Sequence, residues 1–157
     1  MISNKAKSLS SSGHIAQSFK AGTEGQQRFY DSCRALNKDI KKTSKADDIG
    51  NHTDFVVDGQ TFDVKGLKKT QKEGKILLEL KNVQGKMGWC NHELKPEWIA
   101  FDFGAFFLCV RNTHLRELVE NKCDWEDEVS KINDALYKGY TRKDRKDLMT
   151  VVTLFDV

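Results

Sequence analysis

Two aspartates and a lysine flank a short turn in the first half of the chain, and together they could bind a cation. Asp58-Gly59 lies between two runs rich in Val, Phe and Thr, a pattern typical of a two-residue β-hairpin turn. In the antiparallel register that follows from this turn, Asp54 lies opposite Asp63. Like charges on opposed positions destabilise a hairpin, so hairpin stability alone does not account for them. A hard divalent cation such as Mg²⁺ would relieve the repulsion, because it binds carboxylate oxygens.

The same register separates an apolar face of the hairpin from a polar one. The predicted cross-strand pairs, counted outward from the turn, are Val57–Gln60, Val56–Thr61 and Phe55–Phe62. Because side chains alternate along a strand, four apolar residues share one face and are predicted to be core: Phe55, Val57, Phe62 and Val64. Lys65 shares the other face with Asp63, where its ammonium group could hold a phosphate or a polarised water.

A helix that begins at Thr23 is predicted to precede the hairpin. Thr23 and Gln26 have the spacing of a capping box, and apolar residues recur at helical spacing at Phe29, Cys33, Leu36 and Ile40. Glu24 falls in the first turn, where the helix dipole favours a carboxylate, so a structural role explains it as well as a functional one does. The polar residues 41–51 are predicted to form a loop that leads into the hairpin.

Glu24, Asp54 and the run Asp63-Val64-Lys65 together resemble the signature of the PD-(D/E)XK nuclease superfamily. They resemble most closely its branch of phage and archaeal junction-resolving endonucleases. The resemblance covers residues 22–83, and Thr53 stands where the family usually has Pro. It implies an α/β, restriction-endonuclease-like fold with a mixed central sheet and flanking helices. The implied activity is Mg²⁺- or Mn²⁺-dependent endonucleolytic cleavage of DNA, including branched DNA such as Holliday junctions, by a homodimer.

The resemblance also implies a role for each matching residue. Asp54 and Asp63 bind the metal, joined by the backbone carbonyl of Val64. Lys65 orients or stabilises the attacking water, and Glu24 either binds a second metal ion or holds a water of the first. The alternatives are a nicking, flap or repair nuclease of the same fold, a non-catalytic nucleic-acid-binding module, and an interaction protein that uses the acidic segment 117–128.

The charge distribution predicts a polyanionic partner. The net charge is only +3, but residues 65–86 carry seven lysines against two glutamates, and residues 138–146 carry five basic residues against one aspartate. Residues 117–128 carry six acidic residues against one lysine. Basic patches on one side of a domain are typical of nucleic-acid binding. The residues predicted to contact nucleic acid are Lys68, Lys69, Gln84, Lys86, Arg142 and Lys143.

The length and patterning of the chain predict a single domain. Its 157 residues are divided into a flexible basic N-terminal arm over residues 1–20 and one nuclease domain over residues 21–157. Alternating apolar residues predict a strand over 76–80 that continues the sheet of the hairpin, with Glu79 as an additional candidate near the metal.

Further strands and helices are predicted in the second half. The apolar runs 98–103 and 105–110 are typical of adjacent central strands, and a β-branched run over 148–155 predicts a closing strand. Helices are predicted to start near Asn112 and after Asp124.

The composition excludes several other classes of protein. No segment reaches the ~20 apolar residues of a membrane span and the N-terminus lacks a signal-peptide core, so a cytoplasmic location without membrane contact is expected. The four cysteines show no Cys-X-X-Cys pairing, and reduced thiols are predicted. Neither a zinc-ligand spacing nor a P-loop is present in the sequence.

Overall fold

The computed structural model describes residues 22–91 and 96–157. The arm predicted over residues 1–20 lies outside the described residues. The described part of the chain contains nine strands: β1 (Ile40–Lys42), β2 (Phe55–Val57), β3 (Gln60–Lys65), β4 (Lys75–Lys81), β5 (Trp98–Asp102), β6 (Phe107–Arg111), β7 (Asp124–Val129), β8 (Lys138–Tyr140) and β9 (Leu148–Thr153). Its helices are α1 (22–35), α2 (Lys45–Asn51), α3 (Lys69–Lys72) and α4 (Asn112–Lys122). The α/β class expected from the sequence is confirmed. Within the described residues, no helix is long and apolar enough to cross a membrane.

The first sheet contains the hairpin, in the strand order β1-β2-β3-β5-β6. Strands β3 and β5 run parallel, with Phe62 opposite Trp98, and the other neighbours are antiparallel. The prediction of adjacent strands in 98–103 and 105–110 is confirmed, since β5 pairs with β6. The carboxyl ends of the parallel strands β3 and β5 therefore lie side by side at one edge of this sheet.

The hairpin forms in the predicted register. Phe55 pairs with Phe62 and Val57 with Gln60. The turn residues Asp58 and Gly59 have φ angles of 48° and 82°, and positive φ at both central residues is what a type I′ turn requires. The Asp58 carboxylate also accepts a hydrogen bond of 2.9 Å from the Asp39 N–H, which links the turn to the residue before β1.

Helix α1 packs on the apolar face of the hairpin. The ring of Phe29 lies 5.9 Å from that of Phe55, 5.5 Å from that of Phe62 and 5.3 Å from that of Phe107, measured between centroids. The four residues predicted as the apolar face belong to this cluster, in which Phe62 is half-buried and the others are buried. The predicted core face of the hairpin is confirmed.

The prediction that Leu36 and Ile40 continue the apolar face of this helix is wrong, because α1 ends at residue 35. Asn37 adopts a left-handed conformation with φ of 56°, a conformation that commonly ends a helix. Leu36 is consequently 72% exposed, and Ile40 is buried as the first residue of β1 and not as part of the helix. The loop predicted over 41–51 is also wrong, since it contains the end of β1 and all of α2.

The second sheet has the order β4-β9-β8-β7, so β4 does not continue the sheet of the hairpin as predicted. Strand β4 instead pairs with β9, where Ile76 faces Val152 and both are fully buried. The closing strand predicted near the end of the chain is confirmed. Residues from both sheets and from α4 form one core cluster, which includes Leu78, Ile99, Phe101, Leu115, Leu118 and Val119. This shared core fixes one sheet against the other.

The helix predicted after Asp124 is wrong, because residues Asp124–Val129 form strand β7, parallel to β8. Lys138 of β8 forms an ion pair with Asp127, which offsets part of the acidic charge of β7. A short 3₁₀ turn, Ile132–Asp134, follows β7. The other predicted helix, near Asn112, is confirmed as α4, with Leu115, Leu118 and Val119 buried.

Candidate functional site

Asp54 lies where the regular hairpin ladder ends. Its N–H donates to the Phe62 carbonyl at 2.8 Å, while its own carbonyl accepts from the Thr43 N–H at 3.0 Å. The backbone of Asp54 therefore forms hydrogen bonds on both sides, to β3 and to the residue after β1. The regular β2–β3 pairing, which would place Asp54 opposite Asp63, ends one residue earlier, at the Phe55–Phe62 pair. The ladder pair predicted between the two aspartates does not form. Local irregularities of this kind redirect a side chain at the end of a strand.

The Asp54 carboxylate is buried and hydrogen-bonded to two elements. Oδ2 accepts the N–H of Val64 at 2.8 Å, and Oδ1 accepts Nε2 of Gln26 from α1 at 3.0 Å. Gln26, predicted to cap its own helix, thus binds the first candidate ligand. Sequence spacing could not reveal this contact, because Gln26 and Asp54 meet only when α1 packs on the hairpin.

The two aspartates interact through their charges. Both are buried, with Asp54 6% and Asp63 5% exposed. The pKa of the Asp54 carboxyl is raised to about 8, first by burial and then by the negative charge of Asp63, while the hydrogen bond from Val64 opposes the shift. Two carboxylates that share a buried site cannot both be ionised at low cost without a compensating cation. The electrostatic conflict predicted from the sequence is therefore present, although the ladder pair is not.

Lys65 approaches this pair from the end of β3. Its Nζ lies 2.7 Å from Asp63 Oδ2 and 4.7 Å from the ring centroid of Trp89. The Asp63 contact is an ion pair without hydrogen-bond geometry, so the buried Oδ2 accepts no hydrogen bond from the described residues. Trp89 is buried in the shared core, and its face restricts where the Lys65 ammonium can lie.

The backbone of Val64 faces the same site as these side chains. In an extended strand the N–H and C=O of one residue point to the same neighbouring strand. Because the Val64 N–H donates to Asp54, its carbonyl is directed toward the Asp54 edge of β3. The structure thus places Asp54, Asp63, Val64 and Lys65 near one another, although not through the ladder pair that the sequence analysis expected.

Glu24 lies beyond the end of β3, in a cavity of about 540 Å³ that it lines with Arg28, Leu67, Lys72 and Asp102, among others. Its helix approaches β3 closely here, since a Cβ added at Gly25 would lie 3.2 Å from the Cα of Gly66. Gln26, two residues further along α1, contacts Asp54 of the aspartate pair.

Asp102 was not singled out from the sequence, where it stands within an apolar run. It is fully buried at the end of β5, forms an ion pair with Arg28 and accepts the Gly104 N–H at 2.8 Å. Gln71 of α3 donates to the Asp102 carbonyl at 2.5 Å. These contacts connect α1, α3 and β5, so the structural role of Asp102 is evident.

The charges of three basic side chains act on Glu79 of β4. Burial raises the pKa of the Glu79 carboxyl, while the positive charges of Lys65, Lys68 and Arg142 lower it. Lys68 reaches solvent, yet the surrounding protein lowers the pKa of its ammonium group, and the charges of Lys65 and Arg142 lower it further. Residues from both predicted basic segments therefore lie within electrostatic reach of the same carboxylate.

The other residues predicted to contact nucleic acid are exposed. Lys69 forms an ion pair of 3.9 Å with Glu73, and its side chain is 88% exposed. Gln84 and Lys86 lie on a turn whose backbone N–H groups bond to Asn82 Oδ1 at 3.0 and 3.1 Å. This turn contacts the second basic segment, residues 138–146, because the Lys146 N–H donates to the Val83 carbonyl at 3.4 Å. Lys143 is exposed on that second segment.

Among residues 22–91 and 96–157, no three His, Cys, Asp or Glu side chains are grouped in a way that could hold a metal ion. Comparison of the chain with family models, curated proteins and solved structures found no match in any of the three. The geometry of Asp54, Asp63, Val64 and Lys65 is therefore the basis for assigning a function.

Proposed function

We propose that this protein is a metal-dependent endonuclease that hydrolyses phosphodiester bonds of DNA with Mg²⁺ or Mn²⁺. The observation that carries the proposal is the buried Asp54–Asp63 pair, whose charges interact, with Lys65 in contact with Asp63. Burying two interacting carboxylates reduces the stability of a protein unless another charge compensates them. Such a pair therefore favours a role in binding a cation.

The residues present fit a hard divalent cation. Asp63 Oδ2 is a buried oxygen whose contact in this structure is the Lys65 ammonium at 2.7 Å, which a bound cation would replace, and Asp54 and the Val64 carbonyl supply further oxygen donors at the same edge. Oxygen donors alone suit Mg²⁺ or Mn²⁺ better than softer metals. When bound, such a cation lowers the pKa of a water and neutralises charge that develops on a phosphate.

The side chains around the pair have separate roles in this proposal. Asp54 and Asp63 bind the cation, and Gln26 fixes the orientation of the Asp54 carboxylate through its hydrogen bond of 3.0 Å. Lys65, held between Asp63 and the face of Trp89, orients the attacking water or stabilises charge on the scissile phosphate. Glu24 lines the adjoining cavity, from which it would hold a second cation or a water.

The substrate form and the assembly are part of the same proposal. The resemblance of Glu24, Asp54 and Asp63-Val64-Lys65 to junction-resolving endonucleases favours branched DNA as substrate. It also favours a homodimer, because two symmetric cuts suit a two-fold axis.

A non-catalytic nucleic-acid-binding module is the second candidate. It is favoured because, among the described residues, no three carboxylates are grouped so that they could hold a metal ion, although Asp48 also interacts with Asp54. In this reading the basic side chains near Glu79 bind nucleic acid, and the aspartate pair is unused.

One assay series separates the two candidates. The purified protein is incubated with supercoiled plasmid, single-stranded DNA and a four-way junction, each with Mg²⁺, with Mn²⁺ and with EDTA. Cleavage that requires the metal supports the nuclease, and preferential cleavage of the junction supports the branched substrate. DNA binding with no cleavage of any substrate in either metal would instead support the non-catalytic module.

A further inference from the structure

A buried carboxylate holds Arg142. Asp147 is fully buried and accepts hydrogen bonds from the Arg142 backbone N–H at 3.2 Å and from its Nε at 2.5 Å. Nη2 of the same guanidinium also forms an ion pair with Asp147 Oδ2. Although the Arg142 side chain is 39% exposed, these contacts fix the plane of its guanidinium group.

The strand pairing of the second sheet places this arginine two residues beyond the row that contains Glu79. Tyr140 of β8 pairs with Met149 of β9, and Met149 pairs with Glu79 of β4, so the three residues form one row across the sheet. Arg142 follows this row by two residues. Its charge acts on Glu79 together with the charges of Lys65 and Lys68.

A close backbone contact connects the same row to Lys65. Gly88 packs against β4 so tightly that an added Cβ would lie 2.5 Å from the Glu79 carbonyl oxygen. The next residue, Trp89, supplies the ring beneath the Lys65 ammonium, 4.7 Å from its centroid. The Trp89 ring that contacts Lys65 is therefore held against β4 next to Glu79, and the charge of Arg142 acts on the Glu79 carboxylate.

We propose that Asp147 is a positioning residue that directs the Arg142 guanidinium toward the Lys65 side of the site, where it binds a backbone phosphate of DNA. This inference rests on the proposed function, since it names a phosphate contact of the same substrate. Asp147 engages the Nε and Nη2 edge of the guanidinium, so the Nη1 edge points away from it. Arginine suits this role because its planar group can bind a carboxylate on one edge and a phosphate on the other.

The test measures DNA binding in EDTA, where no metal-dependent cleavage interferes. Fluorescence anisotropy with a labelled duplex and a labelled four-way junction gives the affinity and its log–log dependence on salt. Arg142→Ala should weaken binding and flatten the slope by about 1 unit, the loss of one phosphate contact. Asp147→Asn should also weaken binding. The removal of a negative charge would by itself strengthen binding to DNA, so a weakening identifies Asp147 as acting through Arg142.

Double variants supply the matched control. Asp147→Asn should cause no further loss of DNA affinity in the Arg142→Ala background. In the background of Lys143→Ala, which removes the neighbouring exposed cation, it should cause its full loss of affinity. Arg142→Lys, which keeps the charge and cannot form the two-atom contact with Asp147, should bind DNA more weakly than wild type. It also tests the proposal if Asp147→Asn fails to fold.

The proposal is overturned if folded Asp147→Asn binds DNA as tightly as wild type or more tightly. It is equally overturned if the Asp147→Asn and Arg142→Ala losses add, or if Arg142→Lys retains wild-type affinity. If the wild type binds DNA in a salt-dependent way but cleaves none with any metal, the proposed nuclease function is refuted. The effects of the Arg142 and Asp147 variants on DNA affinity would still test the role of Asp147. A wild type that binds no DNA would overturn both.

Discussion

At the scale of single residues, Asp54 determines how the metal-free site behaves. Its pKa is raised to about 8 by burial and by the charge of Asp63, with a further contribution from a hydrogen bond with Asp48. The folded state therefore binds a proton at Asp54 that the unfolded state, with an ordinary carboxyl pKa, has released. Stability consequently falls as the pH rises between the ordinary value and about 8.

Asp54→Asn should remove this loss of stability. In EDTA, the wild-type melting temperature should fall as the pH rises from 5 to 8, while that of the variant should fall less. The variant should then be the more stable protein at pH 8, by about 2–4 °C for each kcal/mol regained. Asparagine keeps an acceptor for the Val64 N–H, and the Gln26 amide can turn to present its oxygen to the new NH₂ group. Parallel pH dependence of the two proteins, measured by thermal unfolding, would contradict the raised pKa of Asp54.

Asp63→Asn tests the same pair through activity. Under the proposed function, this change should abolish metal-dependent cleavage and leave DNA binding intact or tighter, because a negative charge near the phosphates is lost. Asp58→Asn is the matched control in the same hairpin, since Asp58 lies in the exposed turn and asparagine accepts its positive φ. The control should cleave at the wild-type rate. Cleavage at the wild-type rate by purified Asp63→Asn would show that Asp63 is not required for catalysis.

At the scale of secondary-structure elements, close packing fixes the segment beneath Lys65. A Cβ at Gly88 would lie 2.5 Å from the Glu79 carbonyl oxygen and 2.9 Å from its carbonyl carbon, and backbone atoms of β4, which is paired along its length with β9, cannot easily move. Gly88→Ala should therefore destabilise the protein by about 1–3 kcal/mol, as overpacking does in other cores. The displaced Trp89 should also impair any function that depends on Lys65.

Gly50→Ala is the matched control for this prediction. Gly50 lies in α2, and a Cβ there would have nothing within 4 Å. Alanine should leave stability unchanged or raise it by up to about 1 kcal/mol, because it favours the helix. Chemical denaturation of both variants measures the difference, and equal stabilities would show that the Gly88 contact relaxes without cost.

The packing of α1 predicts opposite outcomes for two residues of its apolar pattern. Phe29→Ala should cost about 3–5 kcal/mol, because Phe29 fills the space between α1 and the rings of Phe55, Phe62 and Phe107. Leu36→Ala should change stability by less than about 0.5 kcal/mol, since its side chain is 72% exposed. Urea denaturation checks both, and a large loss at Leu36 would indicate a partner that covers it.

Local chemistry explains which elements could be predicted from the sequence. The hairpin register follows from two turn residues with positive φ, and α4 follows from the apolar spacing of Leu115, Leu118 and Val119. The pairing of β4 with β9 could not be predicted, because alternation identifies a strand but not its partner. A helix was predicted in place of β7 because Val129, Ile132 and Leu136 have helical spacing, but the segment pairs with β8 as a strand instead.

In the candidate site, as in the fold, residues of one strand could be predicted from the sequence, whereas residues brought in from other elements could not. Asp63, Val64 and Lys65 follow from one strand and its register, so their proximity was foreseen. Gln26 and Glu79 gained their contacts only from tertiary packing, which one sequence does not encode at short range. The contact of Asp147 with Arg142 is local, five residues apart, but lies in a loop without a recognisable sequence pattern.

At the scale of the whole molecule, two basic segments that are distant in sequence meet at one surface. Lys68 and Arg142 both act on Glu79, and the turn over residues 82–86 contacts Lys146. Under the proposed function, this arrangement would give DNA a single path along both segments. The two segments would then contribute together to binding and would not act as competing sites.

Two neighbouring lysines should contribute unequally to that path. Lys68→Ala should flatten the salt dependence of DNA binding by about 1 unit, because the charge of Lys68 interacts with those of Lys65 and Arg142. Lys69→Ala should have a smaller effect, since Lys69 is paired with Glu73 and its side chain is 88% exposed. Anisotropy titrations at several salt concentrations measure both slopes. A Lys69→Ala variant with the larger loss would place the DNA on the outer side of α3.

The pairing of β4 with β9 also determines when the protein can acquire its site during synthesis. The β2–β3 hairpin requires only neighbouring residues, whereas Lys75 of β4 must wait for Thr153 of β9, near the end of the chain. Contacts between distant parts of a chain form slowly, and an unpaired apolar strand promotes aggregation in the meantime. The nascent chain therefore carries both aspartates long before Arg142 and Glu79 can join them. A ribosome-bound intermediate that stalls before β9 would hold a folded hairpin with an incomplete site.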